Sequence, residues 1–160
     1  MRAEPQREVW LLRHAKARSP VPGQADIERA LSDRGMDQCR QISDWLQPRL
    51  AATTFRLLVS PARRTRQTAR NVFGSWCPNE AITTDEIWNA SAAGLLQVIE
   101  SQPGNLVIVG HNPGLEQLQY ALTGQLRPLP TGGVFRLGML PGPGRQAELM
   151  ESFQPVRDST

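Results

Sequence analysis

The run Leu106-Val107-Ile108-Val109 does most to limit what this chain can become. A continuous apolar stretch rich in β-branched residues fits a strand buried on both faces, as in the interior of a parallel sheet. A second run, Val9-Trp10-Leu11-Leu12, lies near the start of the chain. Parallel neighbours need crossover connections, which are usually helices. The intervening segments supply them. Ser32 caps a helix predicted from Asp33 to Leu46, with Met36, Cys39, Ile42, Trp45 and Leu46 at helical spacing and Pro48 close to its end. Ser60-Pro61 reads as an N-cap followed by proline at the first helical position, opening a helix to about Phe73. Ala92–Glu100 is a further helix. Pro113 opens another, carrying Leu115, Leu118, Tyr120 and Leu122 and ending near Gly124.

Strands are predicted at Glu8–Leu12, Phe55–Val59, Ala81–Thr84 and Leu106–Val109. Val134–Met139 and Ala147–Phe153 are late strands, joined by a turn at Pro141-Gly142-Pro143-Gly144. Lys16 to Ala30, with Pro20, Pro22 and Gly23, is a loop. This alternation predicts an α/β fold with a mostly parallel central sheet flanked by helices. The 160 residues suit one domain, placed at residues 6–156, with flexible termini at 1–5 and 157–160. No apolar run approaches the roughly 20 residues of a membrane helix, and the start lacks a signal-peptide pattern. A cytoplasmic protein is expected. Cys39 and Cys77 stand apart, outside any metal-ligand spacing, and read as reduced structural thiols. The four Trp residues read as packing.

In open α/β sheets, ligands bind beyond the carboxyl ends of the strands. The chain has only two histidines, and His14 and His111 each stand just past a predicted strand. Ser60 stands past a third. Three segments therefore point chemistry at one rim. There is no G-x-S-x-G elbow for a serine hydrolase and no G-x-x-x-x-G-K-[ST] loop for a nucleotide. The remaining groups are Arg13, His14, Arg63 or Arg64, and His111. Arginine presents a planar fork of donors that matches phosphate oxygens. An imidazole nitrogen can attack phosphorus and carry the phosphoryl group. Unpaired N–H groups at the start of the helix after Pro113 would add an anion site. The net charge of +3 suits an anionic substrate. It does not suggest nucleic acid, because the basic residues are spread along the chain without a basic tail or interleaved aromatics.

The same segments resemble the histidine phosphatase superfamily, with its phosphoglycerate-mutase-like fold. "LLRHAKA" resembles the Arg-His-Gly signature, with Ala15 in place of the usual glycine. "LSDRGMDQ" resembles the L-[TSN]-x-x-G-x-x-[QD] segment. "SPARRTRQTA" resembles S-P-x-x-R-x-x-Q-T-A and aligns Arg64, rather than Arg63, with the phosphate-binding arginine. "VGHNPGLEQL" resembles the second-histidine motif, and "LPTGG" extends the match. The short length and the Arg-His-Ala-Lys and His-Asn-Pro-Gly forms look most like the SixA-type phosphohistidine phosphatase branch. The resemblance implies a minimal three-layer fold without the large helical insertion, and an open site that admits a protein side chain.

It also implies roles. His14 would be the nucleophile, and Arg13, Arg64 and His111 would clamp the phosphate. Asn112 would add a backbone N–H. Lys16 and Arg29 would touch substrate. Glu86, with Asp85 as the alternative, would be the proton donor. Neither a metal nor another cofactor is implied. Ala15 can replace glycine only if its φ is negative. The reading implied is a metal-independent phosphatase working through a phosphohistidine intermediate on protein phosphohistidine, with a signalling protein as partner. A small-metabolite phosphomonoesterase and a non-catalytic phosphate-binding module are the alternatives.

Overall fold

The computed structural model describes residues 6–142 and 147–156. The termini expected to be flexible, and the Pro143-Gly144 half of the expected turn, lie outside the described residues. The described elements follow in order β1 (Arg7–Arg13), α1 (Asp33–Leu50), β2 (Arg56–Val59), α2 (Arg63–Phe73), β3 (Ala81–Thr83), α3 (Ala92–Ser101), β4 (Leu106–Gly110), α4 (Gly114–Thr123), β5 (Val134–Met139) and β6 (Ala147–Phe153). Single 3-10 turns occur at Asp26–Glu28 and Asp85–Ile87.

The strands form one sheet in the order β3-β2-β4-β1-β5-β6. β3, β2, β4 and β1 pair in parallel. β5 and β6 join antiparallel at the β1 side. The sheet is therefore mostly parallel, with an antiparallel margin. Successive side chains on a strand point to opposite faces, and the two apolar runs supply both. Trp10, Leu12, Val107 and Val109 pack under α1 and α2 with Ile42, Leu46, Val72 and Phe73. Val9, Leu11, Leu106 and Ile108 pack under α3 and α4 with Leu95, Ile99, Leu115 and Leu118. Helix, sheet and helix make three layers, the fold class expected from the alternation.

The differences from expectation are local. α1 runs past Pro48 to Leu50. Pro48 and Asp44, one turn earlier, are both exposed, so water can satisfy the carbonyl that loses its partner. Met36 and Tyr120 are exposed rather than on the apolar faces of their helices. Ser60 does not cap α2. The helix begins two residues later than expected, with Ala62 at the N-cap and no side-chain cap. The Ser60 hydroxyl is engaged at the rim instead.

Candidate active site

The register of the parallel strands builds the site. Arg13 pairs with Gly110 across β1 and β4. The His14 N–H continues the ladder by donating to Gly110 O at 3.1 Å. His14 and His111 thus follow two adjacent strand ends, with ring centroids 5.4 Å apart. On the other side of β4, the Ser60 N–H donates to Val109 O at 3.1 Å. The three segments meet at one rim, as the strand ends predicted.

The turn after His14 is fixed by side chains from α1 and α2. The Ala15 N–H donates to Thr68 Oγ1 at 3.0 Å, and the Lys16 N–H donates to Gln38 Oε1 at 2.8 Å. Lys16 O accepts from the Ser32 N–H at 2.9 Å and from Ser32 Oγ at 3.0 Å. Gln67 Oε1 accepts the Leu31 N–H at 2.7 Å. Ser32, Gln38, Gln67 and Thr68 belong to two of the sequence motifs, and their local task is to hold this loop. Gly35 packs against the Lys16 carbonyl so closely that an added Cβ would overlap it. Gly35→Ala should therefore shift the loop and lower stability by about 2 kcal/mol or more. A urea titration showing an unchanged midpoint would contradict that packing. From the opposite side, Gly132 at φ 73° donates its N–H toward Arg13 O and His14 O, at 3.1 and 3.0 Å. Ala15 is fully buried and its φ is not positive, which meets the condition set for replacing glycine.

A cavity of about 240 Å³ opens at this rim. Arg13, His14, Lys16, Arg29, Arg64, His111 and Asn112 line it, together with Ala17 and Thr131. The sequence-predicted site residues converge here, except Glu86 and Asp85. Those two are exposed in the turn after β3 and are not part of the lining. Of the arginines on α2, Arg64 is buried into the site, while Arg63, Arg66 and Arg70 face solvent. A larger cavity of about 300 Å³ between α2 and β3 is lined mainly by apolar groups such as Leu57, Ala69 and Phe73.

His14 is held in one tautomer. Its Nδ1 lies 2.8 Å from Ala15 O. A carbonyl only accepts, so Nδ1 carries the proton and Nε2 keeps its lone pair. Burial, with Arg64, Arg13 and Arg29 nearby, pushes His14 down to about 4 despite the bond to Ala15 O. The ring is therefore neutral at pH 7. Burial, then His14 and Arg64, push His111 down to about 3. His111 Nε2 lies 2.7 Å from Ser60 Oγ, and the edge of its ring contacts Trp88 at 5.1 Å between centroids.

The two arginines are anchored at their tips. Arg13 Nη1 donates to Leu129 O at 2.9 Å. Arg64 Nη1 and Nη2 donate to Asp26 O and Asp26 Oδ2 at 2.8 and 3.0 Å. Leu129 is itself fixed by Glu116, whose Oε1 accepts the Leu129 N–H at 2.7 Å and Asn112 Nδ2 at 2.9 Å. Arg13 Nε, Arg64 Nε and His111 Nδ1 are buried and have no hydrogen-bond partner. All three belong to residues that line the cavity, and buried polar groups are usually paired.

The start of α4 departs from expectation. The Leu115 N–H donates to His111 O at 3.2 Å, and the Glu116 N–H donates to Asn112 Oδ1 at 3.3 Å. These N–H groups cap the helix locally and are not free for an anion. Asp26, Ser60, Trp88 and Glu116 are site components that sequence reasoning did not assign. Ser60 carried a signal, its place past a strand end, but its pairing with His111 is tertiary. Asp26 lies in a loop without periodicity, and only the fold brings it to Arg64.

The model for the histidine phosphatase superfamily (branch 1) matches residues 9–97, more than half of the chain. The chain belongs to the histidine phosphatase superfamily. The matched residues of this superfamily member include most of β1 with Arg13, the His14 that follows it, the motifs that hold the loop, and Arg64. His111 follows beyond them. A solved structure from Agrobacterium tumefaciens, provisionally named phosphohistidine phosphatase SixA, is 28% identical. The alignment covers 93% of this chain and 98% of that one, with a TM-score of 0.83. A second, similarly named SixA protein from Nakamurella multipartitia is 24% identical, with coverage of 96% and 100% and a TM-score of 0.82. The protein histidine phosphatase SixA complexed with tungstate is 22% identical, with coverage of 91% and 95% and a TM-score of 0.73. No curated protein matches the chain. The superfamily member is an enzyme of the phosphatase class, acting on a phosphorylated substrate. Among the described residues, no helix is long and apolar enough to cross a membrane.

Proposed function

We propose that this enzyme removes phosphate from protein phosphohistidine, through a phosphohistidine formed on its own His14. The observation that carries the reading is the bond from His14 Nδ1 to Ala15 O, which leaves Nε2 as a neutral nucleophile in a cationic cavity. In the first step, Nε2 attacks phosphorus, the bond from phosphorus to the substrate ring nitrogen breaks, and its electron pair goes to that ring. In the second, water attacks the phosphorus on His14, and inorganic phosphate leaves as Nε2 recovers its lone pair. In the transition state of each step the phosphoryl group spreads charge over its three equatorial oxygens. Arg13, Arg64 and His111 surround that charge, and their three unpartnered nitrogens are the donors it would satisfy. Lys16, Arg29 and Asn112 hold the substrate at the mouth. Residues 6–156 act as the single unit of this function.

Two features favour phosphohistidine over a phosphate ester. An imidazole leaves readily when its far nitrogen is protonated, whereas an alkoxide needs a positioned acid. Glu86 and Asp85 stand outside the lining, so an ester would lack the donor that the motif alignment assigns to them. The Agrobacterium structure that shares the fold carries a phosphohistidine phosphatase name. A phosphohistidine-bearing signalling protein is the corresponding partner class. The test is phosphate release, with EDTA present, from a phosphohistidine protein and from phenyl phosphate in parallel. Release from the phosphohistidine protein should be fast, insensitive to EDTA and lost in His14→Ala. Efficient phenyl phosphate hydrolysis without phosphohistidine activity would point to a metabolite phosphatase. Phosphate affinity without turnover on either would point to a binding module.

A further inference from the structure

We propose that Asp26 selects phosphohistidine at the mouth of the site, its carboxylate accepting the N–H of the protonated substrate imidazole. This rests on the phosphohistidine reading above and adds to it the residue that recognises the leaving group. A cavity built only to bind phosphate needs cations, and Arg13, Arg64, Arg29 and Lys16 provide them. A carboxylate beside them repels a phosphate dianion, so its presence requires another explanation. Asp26 stands beside the lining, in the single 3-10 turn that leads to Arg29. Its Oδ1 accepts from Arg29 Nε and Nη2, at 3.1 and 3.0 Å, and its Oδ2 accepts from Arg64 Nη2 at 3.0 Å. The carboxylate is thus aimed from two sides.

It is also accessible. The Asp26 side chain is 56% exposed, against 7% for Arg64. Oδ1 already accepts twice, but Oδ2 accepts only from Arg64, so Oδ2 keeps a lone-pair site for a further donor. Burial pushes Asp26 upward, but Arg64 and Arg29 outweigh it and keep the group ionised. Glu28, two residues on, is exposed, while His14 and His111 behind Arg64 are neutral at pH 7.

The placement suits one substrate shape. Arg64 uses Nη1 and Nη2 on Asp26 and has its Nε unpartnered. A phosphoryl group taking the Nε side and Asp26 on the Nη side are separated by the width of a guanidinium. That width is comparable to the span of an imidazole ring. With phosphate in the cavity, the ring lies at the mouth and its far nitrogen faces Asp26. The phosphorylated nitrogen carries no proton, so the far nitrogen holds an N–H only when the ring is protonated. Asp26 stabilises that form. When the bond to phosphorus breaks, the electron pair returns to the ring nitrogen and the ring departs as neutral imidazole, its proton still on the far nitrogen. Without that proton it would have to depart as an anion.

The test compares Asp26→Asn with wild type on a phosphohistidine protein and on phenyl phosphate, each across pH. The asparagine keeps an oxygen for the arginines but loses the charge. For phosphohistidine, kcat/KM should fall at least tenfold more than for phenyl phosphate, in line with loss of a hydrogen bond to a charged group. The alkaline limb of the kcat profile for phosphohistidine, which reports the bound substrate, should move down by about one pH unit, the equivalent of that tenfold. Asp26→Glu should restore part of both. Equal losses on the two substrates, with no movement of the limb, would make Asp26 only a brace for Arg64 and overturn the proposal. A wild-type enzyme inactive on phosphohistidine would overturn the substrate reading as well. A wild type active on it, with an unchanged substrate ratio in Asp26→Asn, would overturn this inference alone.

Discussion

His14→Ala should reduce phosphate release to background while the protein still folds. The imidazole is the one group in the cavity with an available lone pair and a fixed tautomer. Without it the arginines can bind phosphate but nothing accepts it. Rapid quenching of wild type with substrate should trap protein-bound phosphate that survives alkali and is lost in acid, as a bond from phosphorus to nitrogen requires. The variant should trap none. The fold should persist because His14 lines a cavity instead of filling the apolar core, and its backbone bonds to Gly110 and Gly132 do not need the ring.

His14→Ala should also change acid stability, with a sign that can be derived. The folded-state pKa of about 4 lies below the unfolded value of about 6.5. Between those values the unfolded chain binds more protons, so stability falls as pH drops through that window. Full passage removes at most roughly 3 kcal/mol for His14. The variant lacks that loss. Relative to wild type, its urea midpoint should therefore improve between about pH 7 and about pH 4. A constant difference would mean that the ring is not held neutral by burial. Release should be rescued neither by metal ions nor by added phosphate.

Arg64→Ala should lower kcat/KM by about a hundredfold or more, the scale of losing one donor to a developing oxyanion. Arg64→Lys should recover little. The arginine tips grip Asp26 through two nitrogens while Nε stays buried beside the cavity, and an ammonium cannot occupy both places. Both variants release Asp26 from α2, so the loop around residue 26 should exchange amide hydrogens faster. The losses should be larger than those from Arg63→Ala or Arg66→Ala, whose side chains face solvent on the same helix. A Lys variant with near-normal kcat/KM would remove the two-sided role of Arg64.

The parts legible in the sequence were those set by local pattern. Val9–Leu12 and Leu106–Val109 announce interior strands because both faces of each are buried, and that pattern survives any choice of neighbours. β5 and β6 were bounded correctly for the related reason that turn residues flank them. The two histidines were legible because strand ends face a common rim. Ser60 was misread because a serine before proline satisfies the rule for a helix cap, while its real partner, His111, is 51 residues away. Tyr120 was misplaced because apolarity was counted where the helical phase already points to solvent. Asp26 was missed because a loop carries no periodicity, and Glu116 because its bonds to Leu129 and Asn112 depend on how the chain returns.

The position of β1 has a consequence for how the enzyme comes into being. Of the described strands β1 is made first, yet both strands that flank it, β4 and β5, are made after β2 and β3. The Arg13 side chain waits for a carbonyl 116 residues further along the chain. The catalytic rim therefore cannot mature progressively from its N-terminal motif. It closes in a late step, when the Gly132-Gly133 segment docks, and such distant pairings slow folding. A nascent chain ending before that segment would carry His14 and His111 and still lack a finished site.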